Sequence, residues 1–221
     1  MDYLNYYDKK NHNAYFSGMD DLNREKVKIK NFLTYLYPIS YKYNSRGFRD
    51  DEWPSDLSNV VWCVGDSFTS GIGVPFEHRW TNILQNKLNK RCINLGIDGA
   101  SNPLLKSMCL QILKEYKPST IVVMWSFFNR RHEDPWNLLH FTNSSDEEDC
   151  ATFLDCFKDV NTYNSSCKVV NLLIPTQTIS FELLQDIDIF QTATIDVGRD
   201  GFHFDYKTAE VYVEHILSKL T

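Results

Sequence analysis

The sequence of 221 residues lacks the features that mark several large classes of protein. It contains no apolar run of about 18 residues, so we expect no membrane-spanning helix. The formal net charge is -6 and no long run of Lys or Arg occurs, which argues against nucleic acid as a partner. The N-terminus is polar and rich in Tyr and Asn, so we expect no signal peptide and a cytoplasmic location.

Cysteine is present, but never in the CxxC spacing of redox motifs and many zinc sites. Of the six cysteines, Cys63, Cys92 and Cys167 lie in apolar segments, where a thiol acts as a small buried hydrophobe. The even number permits disulfides. Because no signal peptide is expected, a reducing compartment is the better expectation.

Motifs for cofactors and metals are also missing. The sequence has neither a GxGxxG fingerprint nor a P-loop. His132, Glu133, Asp134 and His140 are metal-binding residue types, but their spacing does not fit an HExxH helix and Pro135 interrupts them. We therefore expect no metal and no cofactor.

Residues 1–58 differ in composition from the rest of the chain. They are polar and aromatic, with one helix expected near Asp20–Tyr37 and Pro38 following it as a stop signal. No internal repeat or low-complexity tract divides the remainder. We interpret residues 1–58 as an N-terminal extension that packs on a main domain of residues 59–221.

In the main domain, short apolar runs alternate with helical stretches. Strands are expected at Val60–Val64, Cys92–Leu95, Thr120–Trp125, Lys168–Ile174 and, more weakly, Asp188–Phe190; helices are expected at Arg79–Leu88, Leu104–Tyr116, Glu147–Val160 and Tyr206–Leu220, with 126–146 irregular. This alternation predicts a parallel sheet covered by helices on both faces, a three-layer α/β/α arrangement of the flavodoxin-like type. Ligands of such sheets bind beyond the carboxyl ends of the strands.

Ser67 stands at one of these strand ends, after Gly65 and Asp66. A serine on a tight turn between a strand and a helix can project its hydroxyl into the cleft, and the first N–H groups of the helix point at the same space. Acyl transfer needs this combination of a nucleophile and donors for an oxyanion. The alternative is that Ser67 is an ordinary helix N-cap.

A carboxylate and a histidine precede the last expected helix, at Asp200 and His203. Three positions apart, the carboxylate can reach Nδ1 of the histidine, fix its tautomer and stabilise the imidazolium. Nε2 is then free to take a proton from a serine. The alternative is a structural histidine in a surface turn.

Two glycines three positions apart, Gly96 and Gly99, follow the second expected strand. Glycines permit close backbone approach and unusual φ, so an N–H in this loop can serve as a second oxyanion donor. An ordinary strand-to-helix turn explains the same pattern.

Three segments together resemble the sequence blocks of the SGNH/GDSL hydrolases. GDSFTSGIGV is similar to the block around the family's nucleophile, NLGIDGAS to the block with the oxyanion glycine, and DGFH to the block with the acid and base. NSRGFRDDEW is similar to a segment that often precedes the first block. The resemblance implies that Ser67 is the nucleophile, Asp200 the acid and His203 the base. It also implies that Ser67 and Gly99 donate backbone N–H groups to the oxyanion, with Gly96 competing for that role.

The third block of the family, usually Gly-x-Asn-Asp, is altered here to WSFFNR. Ser126 stands at the position of the family's glycine, and Phe128 at the position of the Asn whose amide contacts the oxyanion. Asn129 is the nearest amide, one position later. We expect Asn129 to supply the third donor, with the Ser126 hydroxyl as the weaker alternative.

The resemblance implies a serine esterase that hydrolyses a small acyl ester without a cofactor, with O-acetyl groups on a carbohydrate as the first substrate expectation. An acyltransferase on the same site is one alternative. A glycan-binding or structural module that keeps the fold without catalysis is another, favoured by the altered third block.

Overall fold

The computed structural model describes residues 1–6, 9–17, 20, 35–132, 140–177 and 187–221, with the backbone alone described at His140. The strands are β1 Asn13–Ala14, β2 Tyr41–Lys42, β3 Val61–Gly65, β4 Cys92–Gly96, β5 Thr120–Trp125, β6 Arg130–Arg131, β7 His140–Phe141 and β8 Lys168–Leu173. The α-helices are α1 Ser67–Ser70, α2 Trp80–Leu88, α3 Asn102–Glu115, α4 Asp146–Tyr163 and α5 Tyr206–Leu220, with a 3₁₀ turn at Phe76–His78.

The centre of the molecule is a parallel sheet in the order β4-β3-β5-β8. Its strands are mainly apolar because both faces are covered by helices, as in other all-parallel sheets. Phe190 extends the edge by one parallel bridge to Leu172, where the weak strand was expected. The predicted three-layer α/β/α fold of the flavodoxin-like type is confirmed.

Side chains of each strand alternate between two apolar cores. On one face, Trp62, Val64 and Val123 pack with α3 and α4; on the other, Cys63 and Val122 pack with α2 and α5. The period of two along a strand puts alternate residues on opposite faces. Because the sheet is held rigidly between these cores, its carboxyl edge is a fixed platform for the loops that follow β3, β4 and β5.

The N-terminal residues contribute to the packing of this platform. Leu4 and Phe48 are buried in the core beside α3 and α4, and Ile39, Tyr41 and Tyr43 form a third cluster with Ile72. A division of the chain at residue 58 stays a prediction. Most of the helix expected near Asp20–Tyr37 falls on 21–34, outside the described residues.

Several local expectations differ from the structure. The segment 126–146 was expected to be irregular, but Arg130–Arg131 pairs with His140–Phe141 as a short antiparallel ladder. Cys167 precedes β8 instead of lying in it. All six cysteines are free and buried. In the described part of the chain, no helix has both the length and the apolar character required to cross a membrane.

Candidate active site

Ser67 is the first residue of α1, directly after the turn that ends β3. The N-cap of α1 is Asp66, whose Oδ1 accepts a hydrogen bond from the N–H of Phe68 (3.0 Å). The cap is thus the residue before the serine, and the Ser67 hydroxyl is available for other contacts. Ser67 is 2% exposed, so its hydroxyl lies in a largely water-free environment.

Ser67, His203 and Asp200 form a hydrogen-bonded chain. Oγ of Ser67 lies 2.7 Å from Nε2 of His203, although the two residues are 136 positions apart. Nδ1 of His203 lies 2.5 Å from Oδ2 of Asp200. Because an ionised carboxylate only accepts, the arrangement that uses both contacts places the proton on Nδ1 and leaves Nε2 to accept from the serine.

The Asp200 carboxylate is fixed by its own turn. Its Oδ1 accepts hydrogen bonds from the N–H groups of Phe202 (3.0 Å) and His203 (3.1 Å), so it caps the turn that carries the histidine. The ring of Phe68 packs on the imidazole, with 4.5 Å between ring centroids. Asp200 and His203 are therefore oriented by backbone and packing contacts as well as by each other.

The backbone N–H groups of Ser67 and Gly99 have no acceptor among the described residues. Gly99 has a φ of 79°, a conformation that glycine adopts without strain, in a turn closed by a hydrogen bond from Ala100 N to Ile97 O (3.1 Å). Unpaired N–H groups at a strand-to-helix turn are the kind of donor that an oxyanion requires.

Gly96 has a different function in the structure. A Cβ at this position would lie 2.0 Å from the backbone nitrogen of Ser70, so the glycine lets β4 pass close to α1. This requirement accounts for Gly96 by packing alone. Between the two glycines, Gly99 is the one whose backbone geometry suits the role of a donor.

The loop after β5 does not place an amide at the position expected from the third block. Phe128 is buried and stacks on Phe153, with ring centroids 4.1 Å apart and an interplanar angle of 11°. Oγ of Ser126 donates to Oδ2 of Asp66 (2.7 Å), and Nη1 of Arg130 binds the same oxygen (2.9 Å). The Ser126 hydroxyl and the Arg130 guanidinium thus lie beside the carboxylate of Asp66, the N-cap of α1.

Asn129 lines a cavity of about 360 Å³ whose other walls come from Phe127, Phe128, Thr142, Ser144, Asp146, Asp149, Cys150, Thr176 and Gln177. Ser67, Asp200 and His203 are not among these lining residues. The described contacts therefore bring Ser67, His203 and Asp200 together, and they place Asn129 on a polar cavity that these three residues do not line.

Asp98 was not singled out from the sequence, although it lies between Ile97 and Gly99. Burial raises the pKa of its carboxyl, while the charge of His203 acts in the opposite direction. Asp66 also raises this pKa, through like-charge repulsion. Asp98 therefore places a carboxyl within electrostatic range of the imidazole.

The residues considered as metal ligands are only partly described. Glu133 and Asp134 lie outside the described residues, and so does the side chain of His140. Nδ1 of His132 lies 2.5 Å from Oγ of Ser101, which makes a second serine–histidine pair in the described part of the chain. Within the described ranges, no three His, Cys, Asp or Glu side chains come together as a metal site.

Comparison with solved structures identifies proteins of similar fold. A protein assigned to the G-D-S-L lipolytic family from Desulfitobacterium hafniense DCB-2 is 14% identical, over 73% of this chain and 99% of its own, with a TM-score of 0.50. The esterase EstA from a Pseudoalteromonas species, solved with monoethylphosphonate as inhibitor, is 12% identical over 74% and 97%, with a TM-score of 0.50.

A carbohydrate-active enzyme has a similar fold as well. A family two carbohydrate esterase from Clostridium thermocellum, in complex with cellohexaose, is 11% identical over 77% of this chain and 66% of its own, with a TM-score of 0.52. No protein-family model matches the chain. A search of curated proteins finds no significant match either. At these identities, the likeness establishes that the chain has the fold of the SGNH/GDSL hydrolases.

Proposed function

We propose that this chain, with the fold of the SGNH/GDSL hydrolases, is a serine esterase in which Ser67 is the nucleophile, His203 the base and Asp200 the acid. The observation that carries the proposal is the continuous hydrogen-bonded chain of these three side chains at the carboxyl edge of the sheet. A nucleophile bonded to a base that is itself oriented by a carboxylate is the arrangement used for acyl transfer in unrelated folds.

The mechanism has two steps. His203 takes the proton of Ser67 while Oγ attacks the ester carbonyl, and the imidazolium then protonates the departing alcohol. Water next attacks the acyl-enzyme, with His203 again as base, and Ser67 is regenerated. The N–H groups of Ser67 and Gly99 hold the oxyanion in both steps. Our hypothesis is that the side-chain amide of Asn129 donates a third hydrogen bond to the oxyanion.

The substrate class that we propose is a small acyl ester, in particular an O-acetyl group on a carbohydrate. One observation supports it: the fold is shared with a family two carbohydrate esterase. Release of acetate from an O-acetylated oligosaccharide, compared with hydrolysis of long-chain p-nitrophenyl esters, tests the assignment. Product analysis with a free sugar acceptor detects an acyltransferase instead.

A serine-directed fluorophosphonate probe tests the catalytic assignment. We expect the wild-type chain to be labelled at Ser67, the Ser67→Ala variant to be unlabelled and inactive on p-nitrophenyl acetate, and its fold to be unchanged. Ser101→Ala is the matched control, because Oγ of Ser101 also lies 2.5 Å from a histidine nitrogen but is not part of the hydrogen-bonded chain of Ser67, His203 and Asp200. Wild-type protein that neither reacts with the probe nor cleaves the ester would make the chain a non-catalytic module.

A further inference from the structure

The N-terminal residues reach the triad through a buried tyrosine. Oη of Tyr41 donates to Oδ2 of Asp20 (2.5 Å) and accepts a hydrogen bond from the N–H of Gly73 (2.8 Å). Tyr41 and Asp20 are both fully buried. A buried hydroxyl that both donates and accepts has a single orientation, so Gly73 is tied to the N-terminal part of the chain.

Gly73 in turn lies against the carboxylate of Asp200. Its φ is 77°, and a Cβ at this position would lie 2.7 Å from Oδ1 of Asp200. The carbonyl oxygen of Gly73 accepts a hydrogen bond from the N–H of Arg199 (2.7 Å). The loop after α1 and the loop that carries the acid therefore meet backbone to backbone, with the Asp200 carboxylate between them.

A partly buried ion pair makes a second connection to the loop that carries Asp200. Nε of Arg199 lies 2.8 Å from Oδ1 of Asp20, and Nη2 lies 2.6 Å from Oδ2. This is a two-pronged contact of a guanidinium with a carboxylate, the geometry that fixes both partners most firmly. Arg199 directly precedes Asp200 in the chain, so Asp20 restrains the acid from its N-terminal side.

Arg49 holds the loop after α1, which contains Gly73. Its guanidinium donates to the carbonyl oxygens of Gly71 and Val74 (2.9 Å for Val74), on either side of Gly73. It also stacks over the ring of Tyr41, 4.2 Å from the centroid. Arg49 belongs to the NSRGFRDDEW segment, and these contacts give that segment a physical reason to precede a hydrolase domain.

From these contacts we propose that Tyr41 and Asp20 are positioning residues that hold Asp200 in line with His203, acting through Gly73 and Arg199. The inference rests on the function proposed above. Neither residue touches the reacting atoms. Their effect is to prevent the acid loop from moving away from the loop after α1 when the imidazole becomes charged.

Tyr41→Phe tests the proposal, and Tyr43→Phe is its matched control. Tyr43 is a buried tyrosine of the same segment, but its Oη contacts Oγ of Ser17 (2.9 Å) instead of Gly73. We expect Tyr41→Phe to lower kcat roughly tenfold with KM unchanged, less than the ~10² that a displacement of about 1 Å can cost. The acid limb of the kcat/KM–pH profile should move to lower pH, because a misaligned carboxylate stabilises the imidazolium less.

The control should retain the wild-type kcat and pH profile. Equal kcat values and identical pH profiles in Tyr41→Phe and Tyr43→Phe would overturn the inference, whatever their thermal stabilities. Should Tyr41→Phe fail to fold, Asp20→Asn carries the same test, because it keeps the shape of the side chain and removes the charge that pairs with Arg199. An inactive, unlabelled wild type would refute the proposed function itself, and with it the positioning role.

Discussion

Nη1 of Arg130 lies 2.9 Å from Oδ2 of Asp66, and this ion pair is almost completely shielded from water. The same carboxylate accepts from Ser126 and caps the helix that begins with the proposed nucleophile. The residues of the altered third block thus bind the residue next to Ser67 in the chain. The contribution of this ion pair to the free energy of unfolding can be tested directly by substitution of Arg130.

Arg130→Met should lower the free energy of unfolding by about 3–5 kcal/mol, because it leaves the buried Asp66 carboxylate without its charged partner. Urea denaturation measures the change. Lys106→Met is the control, since Lys106 pairs with Asp159 at 3.1 Å on the exposed surface and such pairs contribute less than about 1 kcal/mol. Equal effects of the two substitutions would contradict the structural importance of the Asp66–Arg130 pair.

His203→Ala should reduce kcat by roughly 10²–10⁴, the usual contribution of a general base. Asp200→Asn should also reduce kcat, because an amide favours the wrong imidazole tautomer. Steady-state kinetics on p-nitrophenyl acetate measure both changes. His132→Ala is the control. A larger loss of kcat in His132→Ala than in His203→Ala would show that His203 is not the general base.

Asn129→Ala should lower kcat at least roughly tenfold with little change in KM if its amide is the third oxyanion donor, which is the hypothesis that we keep. Ser126→Ala should have the smaller effect on kcat, since the Ser126 hydroxyl already donates to Asp66. Kinetics of both variants on one ester measure the difference. A raised KM at unchanged kcat in Asn129→Ala would assign this residue to the cavity alone.

Asp98→Asn should stabilise the chain increasingly as pH rises. Burial raises the pKa of the Asp98 carboxyl above its ordinary value of 3.8, so the stability that the protonated form contributes is present below that value. It is lost as pH rises through the raised pKa, and the Asn variant does not lose it. The midpoints of urea unfolding, compared between the variant and the wild type from about pH 4 to neutral pH, measure the growing difference.

The control for this prediction is Asp56→Asn, which should show the opposite sign. Hydrogen bonds from Ser58 lower the pKa of the exposed Asp56 carboxyl, so its ionised form adds stability above the ordinary pKa and loses it as pH falls. Asp56→Asn should therefore be slightly less stable than the wild type at neutral pH. A difference for Asp98→Asn that is constant with pH would exclude ionisation of Asp98 as its cause.

The fold could be predicted because its signals are local. β5 has the predicted limits, Thr120–Trp125, since a β-branched run between turn residues leaves little choice of secondary structure. The limits of α5, Tyr206–Leu220, are also those predicted. The parallel sheet with helices on both faces then follows from the alternation of strands and helices along the chain.

The surroundings of the proposed nucleophile were less predictable because they depend on contacts between distant residues. A shift of one position decides whether Phe128 or Asn129 faces a given space, and the packing of Phe128 on Phe153 depends on a residue 25 positions away. Tyr41 and Gly73 are 32 positions apart, and no periodicity in either segment indicates their hydrogen bond. Only the chemistry of Asp200 and His203 was local enough to be inferred from their spacing.

The six free cysteines allow local opening of the structure to be measured by the reactivity of their thiols. Cys63 and Cys92 lie in the strands β3 and β4, whereas Cys109, Cys150 and Cys156 lie in the helices α3 and α4 on one face of the sheet. Burial raises the pKa of Cys156 and Cys167 to about 11. A thiol reagent reacts with the thiolate, so it modifies each cysteine only when the surrounding element opens to water. The order in which the thiols react then ranks the opening free energies of the central strands against those of the helical layer formed by α3 and α4, with no change to the sequence.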